Sequence, residues 1–181
     1  MNQSIEGYYP LRREVDAMAA KLEGVHRDYM QCKKGCTKCC MNLTVWPVEF
    51  FAIAEEVRAA GIELAFDEQA GCGFLKDGLC RIYPFRPIIC RTHGLPLVYL
   101  DDEQDEPVYG VTFCEKNFQD ADDIEFGPDN TLFMDEINQR LARLQAEFAE
   151  TDQTRRFERD SNGRIELRLL ADAVRLGKDG V

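Results

Sequence analysis

Eight cysteines fall between residues 32 and 114 of this 181-residue chain, and none follows. They are Cys32, Cys36, Cys39, Cys40, Cys72, Cys80, Cys90 and Cys114. The first four read C-x3-C-x2-C-C, the next three read C-x7-C-x9-C, and the last stands after a gap. Turns of two or three residues aim several thiols at one point. Tetrahedral zinc takes four such ligands at about 2.3 Å, and a [4Fe–4S] cluster is also held by four thiolates. All eight cysteines are therefore candidate metal ligands. Cys39 and Cys40 are adjacent, so in an extended chain their side chains point to opposite sides and serve different centres, or only one of them ligates. Eight thiolates suit two four-ligand centres, a bridged polynuclear one, or one centre plus structural thiols.

A disulfide framework is the competing use of so many cysteines. A chain of this length buries a sufficient core without covalent staples. Its first residues carry no apolar segment of signal-peptide type, and no apolar run approaches the ~20 residues of a membrane span. The expectation is a cytoplasmic protein without membrane attachment, in a compartment that keeps thiols reduced and favours metal binding.

Charge narrows the partners. The net charge is -11 and the isoelectric point about 4.7, against the basic footprint of a nucleic-acid binder. Residues 101–130 hold eleven acids and a single base, Lys116. That stretch reads as a solvated acidic surface, or more sharply as a docking face for a basic partner or a hard-cation site. Nothing in it has calcium-loop spacing.

The pattern outside the cysteines is mostly helical. Leu11, Val15, Met18, Leu22, Val25 and Tyr29 alternate at steps of four and three, predicting a helix over 11–31. His26 falls beside this stripe, as a surface or boundary residue. Pro47 opens a second helix with Phe50, Ile53, Ala54 and Val57 on its buried face, and Gly61 ends it. Residues 70–114 are turn-rich, with short strands near Cys80–Tyr83 and Leu95–Leu100, the latter pairing with Val108–Phe113. A third helix is expected from Thr131 to Glu150 along Leu132, Ile137, Leu141, Leu144 and Phe148, capped by Asp129 or Asn130. Asp160–Gly163 is a turn. Residues 165–176 suit a strand at first and a helix later, without a decision between them. The expected fold is a single α-rich α+β domain: three main helices, 11–31, from Pro47, and within 131–178, around a loop-dominated cysteine core at 32–114 with short strands.

The stretch Cys32–Cys40, with Gly71-Cys-Gly-Phe-Leu75, Asp77-Gly-Leu-Cys80, Ile82-Tyr-Pro84 and Arg86-Pro-Ile-Ile-Cys-Arg91, resembles the YkgJ-type cysteine-cluster family, a zinc- or iron-chelating domain. All eight cysteines match its pattern, and the resemblance covers about residues 32–114. It implies that the cysteines are ligands. Tyr83, Arg86 and Arg91 also match, as residues that orient the cluster. A related cluster in flagellin lysine methylases implies, as an alternative, a small metal-dependent protein-modifying enzyme. The chain has no glycine-rich nucleotide loop.

Other readings are weaker. Cys32, Cys36 and Cys39 have radical-SAM spacing, but the chain is short for an α/β barrel. Cys90 and His93 stand at C-x2-H spacing, which zinc uses, although a plain loop histidine explains His93 as well. Cys40 beside Lys38 has the makings of an activated thiol without an evident base. Lys33, Lys34, Lys38, Lys76, Arg81, Arg86 and Arg91 would offset thiolate charge. In a zinc-stapled interaction module, Trp46, Tyr83 and Phe85 would be anchors, though core packing also explains them. The preferred cofactor is an iron–sulfur cluster, since soft all-sulfur ligation suits it, with zinc close behind.

Overall fold

A prolyl ring has no amide to give a helix, yet Pro10 lies inside the longest one. Helix α1 runs Gln3–Val25 in the computed structural model, which describes residues 3–33, 35–67, 71–101, 108–119, 121, 124–151 and 154–176. The helix thus begins well before the expected residue 11. Pro10 deprives the Glu6 carbonyl of its helical donor and costs about 3 kcal/mol. Ile5 and Tyr8 are both buried on this helix. A fully buried large apolar side chain contributes about 1.5–3 kcal/mol, so two of them outweigh the missing bond. The far end is shorter than expected. Val25 and Tyr29 are exposed, and the buried stripe runs Leu11, Val15, Ala19, Leu22 and then His26. His26 is therefore a core residue, because steps of four, three and four from Val15 reach it and not Val25.

After a 3-10 turn at Arg27–Tyr29 come β1 (Thr44–Val45), α2 (Pro47–Ala59), β2 (Leu75–Lys76), β3 (Leu79–Cys80) and α3 (Ile88–Thr92). Then follow β4 (Leu97–Asp101), β5 (Val108–Thr112), β6 (Leu132–Phe133), α4 (Met134–Ala146), β7 (Ile165–Glu166) and α5 (Leu170–Leu176). Five α-helices and three small sheets among the described residues form an α-rich α+β fold. None of these helices is long and apolar enough to cross a membrane. The chain divides into two compact units: Met1–Tyr9, Gly35–Pro87 and Leu144–Val181 form the first, and Pro10–Lys34 and Ile88–Arg143 the second.

In the first unit the core is built on α2. Phe50, Ile53, Ala54 and Val57 pack with Phe74, Ile82, Phe157, Ile165, Leu167 and Leu170. Helix α2 starts at Pro47 as the sequence predicts, and the Gln145 side chain accepts the Val48 amide at 3.0 Å. It ends in a Schellman motif. Gly61, at φ +66°, donates to Arg58 O and Ile62 donates to Val57 O. Strand β1 pairs antiparallel with β7. The ambiguous C-terminal segment is a strand and then a helix in succession, joined by a 3-10 turn at Leu167–Leu169. The Arg58 guanidinium donates to the carbonyls of Ala173 and Val174 near the end of α5.

In the second unit β4 is central, with β5 antiparallel on one side and β6 parallel on the other. The expected pairing of the two hairpin strands holds, with Leu100 opposite Tyr109. Leu132 belongs to β6 and not to the third helix, which starts only at Met134. Asn130 does not cap that helix. Its Oδ1 accepts the Gly127 amide at 2.7 Å and its Nδ2 donates to Glu125 O, so it closes the preceding turn. Arg140 forms a two-pronged pair with Glu14.

The turn at Asp160 gives a pH-dependent test. Its Oδ1 accepts the amides of Asn162 and Arg164, both at 2.9 Å, and Gly163 sits at φ +73°. The Arg164 amide first, then the Asn162 amide, the Thr44 hydroxyl and the Arg164 charge hold this carboxyl below its ordinary value, against desolvation. A lowered folded pKa adds stability above the unfolded value of about 3.9 and loses it as pH falls through the folded value. Asp160→Asn keeps an acceptor and removes the charge. Its melting temperature should fall below wild type at pH 7, and the gap should close as pH drops below about 4.

Candidate metal centre

None of the eight cysteines is in a disulfide, and each is half-buried. They are not buried core thiols. The units divide them. The first holds Cys36, Cys39, Cys40, Cys72 and Cys80, and the second holds Cys32, Cys90 and Cys114.

The first group is assembled by turns. The chain is not extended at Cys39, where a turn runs through Lys38 and Cys39 and the Cys40 amide donates to Thr37 O. The two adjacent thiols therefore share one neighbourhood. Gly71 backs directly onto this turn, since a Cβ there would lie 2.9 Å from Cys40 O. A side chain at Gly73 would strike the Phe66 ring at 2.3 Å. The two glycines on either side of Cys72 thus let its segment pass between Cys40 and Phe66. Strands β2 and β3 then turn back through Asp77 at φ +51° and Gly78 at φ +74°, a two-residue hairpin loop of type I′ character. The hairpin sets Cys80 opposite Leu75, whose amide donates to Cys72 O. Cys72 and Cys80 both pack against the unit's apolar core.

Burial pushes the Cys40 thiol up to about 11, and the neighbouring thiols of Cys39, Cys72 and Cys80 push the same way. That is the reverse of an activated nucleophile, so the Cys40–Lys38 reading has no support. Cys80 is raised by burial first, then lowered by the Ile82 backbone, raised by Cys72 and lowered by Arg86. Of the expected cations, Arg86 thus acts on the Cys80 thiol. It also stacks over Tyr83 at 3.6 Å and donates to Tyr83 O. Arg81 instead donates to Glu63 O.

The second group is drawn together by Asn117, which is 1% exposed. Its Oδ1 accepts the amides of Gln31 at 2.8 Å and Cys32 at 3.0 Å. Its Nδ2 donates to Gly94 O at 2.7 Å, and its own amide donates to Cys114 O at 2.8 Å. Gly94 sits at φ +96°, where a Cβ would lie 3.3 Å from the Cys32 sulfur and 3.7 Å from Cys114 Cβ. Arg91, beside Cys90 on α3, holds both oxygens of Asp16 on α1 at 2.6 and 2.8 Å. Sequence reasoning missed Asn117. A polar residue three places after a cysteine, in Cys114-Glu-Lys-Asn117, was its signal.

The histidines stand apart from this chemistry. His93 is exposed. His26 Nε2 lies 2.7 Å from Asn130 O, with its ring edge-on to Phe118. Among the described residues no set of three or more His, Cys, Asp or Glu side chains is closed into a metal-holding arrangement. The turns gather the sulfurs without converging them on one point. The donors are nevertheless all sulfur, which fits zinc or iron–sulfur and not the hard oxygen-seeking cations.

Residues 31–115 match the family model CxxCxxCC, described as a putative zinc- or iron-chelating domain. All eight cysteines lie within it, and Asn117 lies just past its end. No curated protein and no solved structure matches the chain.

Two glycines give opposite expectations. Gly94→Ala meets both a left-handed backbone and the Cys32 sulfur, so it should lower stability by about 1–3 kcal/mol. Gly24→Ala, within α1 and with nothing within 4 Å, should raise it by about 0.5–1 kcal/mol. Urea unfolding measures both, and a neutral Gly94→Ala would contradict the crowding described here.

Proposed function

We propose that this protein chelates metal through its cysteine thiolates, holding an iron–sulfur cluster in preference to zinc, and works in the cytoplasm as a redox or sensing protein. The observation that carries the reading is the state of the cysteines. Eight half-buried thiols, none of them in a disulfide, lie within one stretch of the chain, and those of Cys39, Cys40, Cys72 and Cys80 share a neighbourhood. Soft all-sulfur surroundings favour iron–sulfur ligation.

A second reading, a zinc-stapled module that binds a protein partner, draws support from the second unit's sheet. Leu100, Tyr109, Val111 and Phe133 lie on one face of it and are all exposed. Of the three sequence anchors, Tyr83 is exposed and the other two are partly covered. Phe85 packs on the first unit's core, while Trp46 is half-buried with Arg164 over its ring at 5.0 Å. Seven of the eleven acids that would meet a basic partner, at residues 102–107, 120 and 122–123, lie outside the described residues.

The deciding experiment is metal and acid-labile sulfide analysis with a visible spectrum on protein purified without oxygen. Iron and sulfide in equal amounts, about four of each per cluster, are expected. Colourless protein with stoichiometric zinc would shift the reading to the interaction module. Absence of both metals, with all thiols titrating free, would overturn chelation.

A further inference from the structure

The sheet of the second unit has one long edge. Among the described strands only β4 and β5 exceed two residues, and β4 is enclosed. Strands β5 and β6 flank it, and beyond its last pair with β6 the Asp135 carboxylate accepts the Leu100 amide at 2.8 Å. Strand β5 pairs with β4 through all five of its residues, without a bulge, and with no described strand on its other side. Its sequence, Val108-Tyr-Gly-Val-Thr112, carries no charge and no proline. Edge strands are ordinarily blunted by charge, proline, a bulge or shortness, because their outer amides and carbonyls recruit another chain. Strand β5 has none of these devices. We propose that a basic, extended segment of a partner protein adds to β5 as a fourth strand of this sheet. The proposal deepens the protein-binding reading above and does not depend on which metal is bound.

The register says what that segment would meet. Val98 stands opposite Val111 and beside Phe133, and Leu100 stands opposite Tyr109, so these five share one face. Val98 is buried, while Leu100, Tyr109, Val111 and Phe133 are exposed. The Tyr109 and Phe133 rings meet edge-on at 5.7 Å across β4. An added strand takes its affinity from main-chain hydrogen bonds and its selectivity from alternate side chains. Every second one would lie on this face beside Tyr109 and Val111, where aromatic and β-branched residues pair well. Gly110, between them, has nothing within 4 Å of where a Cβ would stand, so no side chain crowds the edge there. Charge selects the occupant. Asp101 lies opposite Val108 at one end of the strand, and Glu115 follows Thr112 by three residues at the other, both exposed. They belong to the stretch 101–130 with its eleven acids and one base. Lysine or arginine flanking an apolar strand complements that field. A second copy of this chain, at a net charge of -11, would bring its own acids to the edge.

The test is titration of the full chain, of known metal content, with a short labelled peptide in which valine alternates with threonine between paired lysines. Fluorescence anisotropy reads affinity and amide exchange reads the site. Binding should weaken with added salt, and protection should rise along Val108–Thr112. Proline at the middle of the peptide keeps the charge but breaks the ladder, so that peptide should bind about tenfold more weakly. Glutamate in place of lysine should abolish binding. Tyr109→Ala/Val111→Ala removes two exposed side chains and should weaken binding by about tenfold, as loss of anchors does. Gly110→Lys sets a like charge on the edge without a clash and should weaken it by about two- to fivefold. Equal binding of the proline peptide would reduce the contact to charge and overturn strand addition. Unchanged affinity in both β5 variants would overturn it too. Self-association of wild type that Gly110→Lys abolishes would give the edge to a second copy instead. No binding by zinc-loaded protein would overturn the docking edge and leave the zinc staple standing. Binding by protein that holds iron and sulfide would uphold the edge and remove the staple.

Discussion

Thiolates repel one another, and half-burial withholds the water that would otherwise screen them. That constraint governs the first unit. Cys40 meets both penalties, burial and the neighbouring thiols of Cys39, Cys72 and Cys80. Nearby cations offer limited relief: Arg86 acts on Cys80, but the guanidinium also stacks on Tyr83. A bound cation removes the repulsion outright, because it converts like charges into ligands of one centre. The turns bring the thiols of Cys39, Cys40, Cys72 and Cys80 into one neighbourhood without converging them on one point.

The turns are fixed by positions that admit few residues. Asp77 and Gly78 both lie at positive φ, which matches the twist of a two-residue hairpin. Gly94 is required twice, by its backbone and by the Cys32 sulfur beside it. Phe118 is the exception that shows the cost. A bulky residue holds a left-handed conformation because four aromatic rings and a backbone bond surround it. Strain of that size persists only where the surroundings over-determine it, and here it follows directly after Asn117.

What the sequence made legible was the periodic and the punctuated. Helix α2 could be read from Pro47 to Gly61 because a proline start, an apolar stripe and a left-handed glycine agree. The β4–β5 pairing was equally plain. Helix α1 was cut short at its start because Pro10 looks like a boundary, and only burial of Ile5 and Tyr8 carries the helix through it. His26 was misplaced because Val25 is the more apolar neighbour, while the helical angle favours the histidine. Leu132 fitted the third helix by spacing alone, and its parallel pairing with Leu97 is a long-range contact that no local pattern encodes. The strand expected near Cys80–Tyr83 lies at Leu79–Cys80, because the Asp77-Gly78 turn pairs it with Leu75–Lys76.

The cysteines were legible as a set but not in their grouping. Spacing along the chain suggests that Cys32, Cys36 and Cys39 act together, since they are near neighbours in sequence. Cys32 belongs to the second compact unit, and Cys36 and Cys39 belong to the first. The decisive partners are distant ones: Asn117 for Cys32, at a separation of 85 residues, and Gly71 for Cys40. Adjacent Cys39 and Cys40 illustrate the same limit. Opposite faces follow from an extended chain, whereas the Thr37–Cys40 turn puts both thiols in one neighbourhood. Whether two adjacent thiols cooperate is decided by one backbone hydrogen bond, and that bond is set by the turn, not by the cysteines.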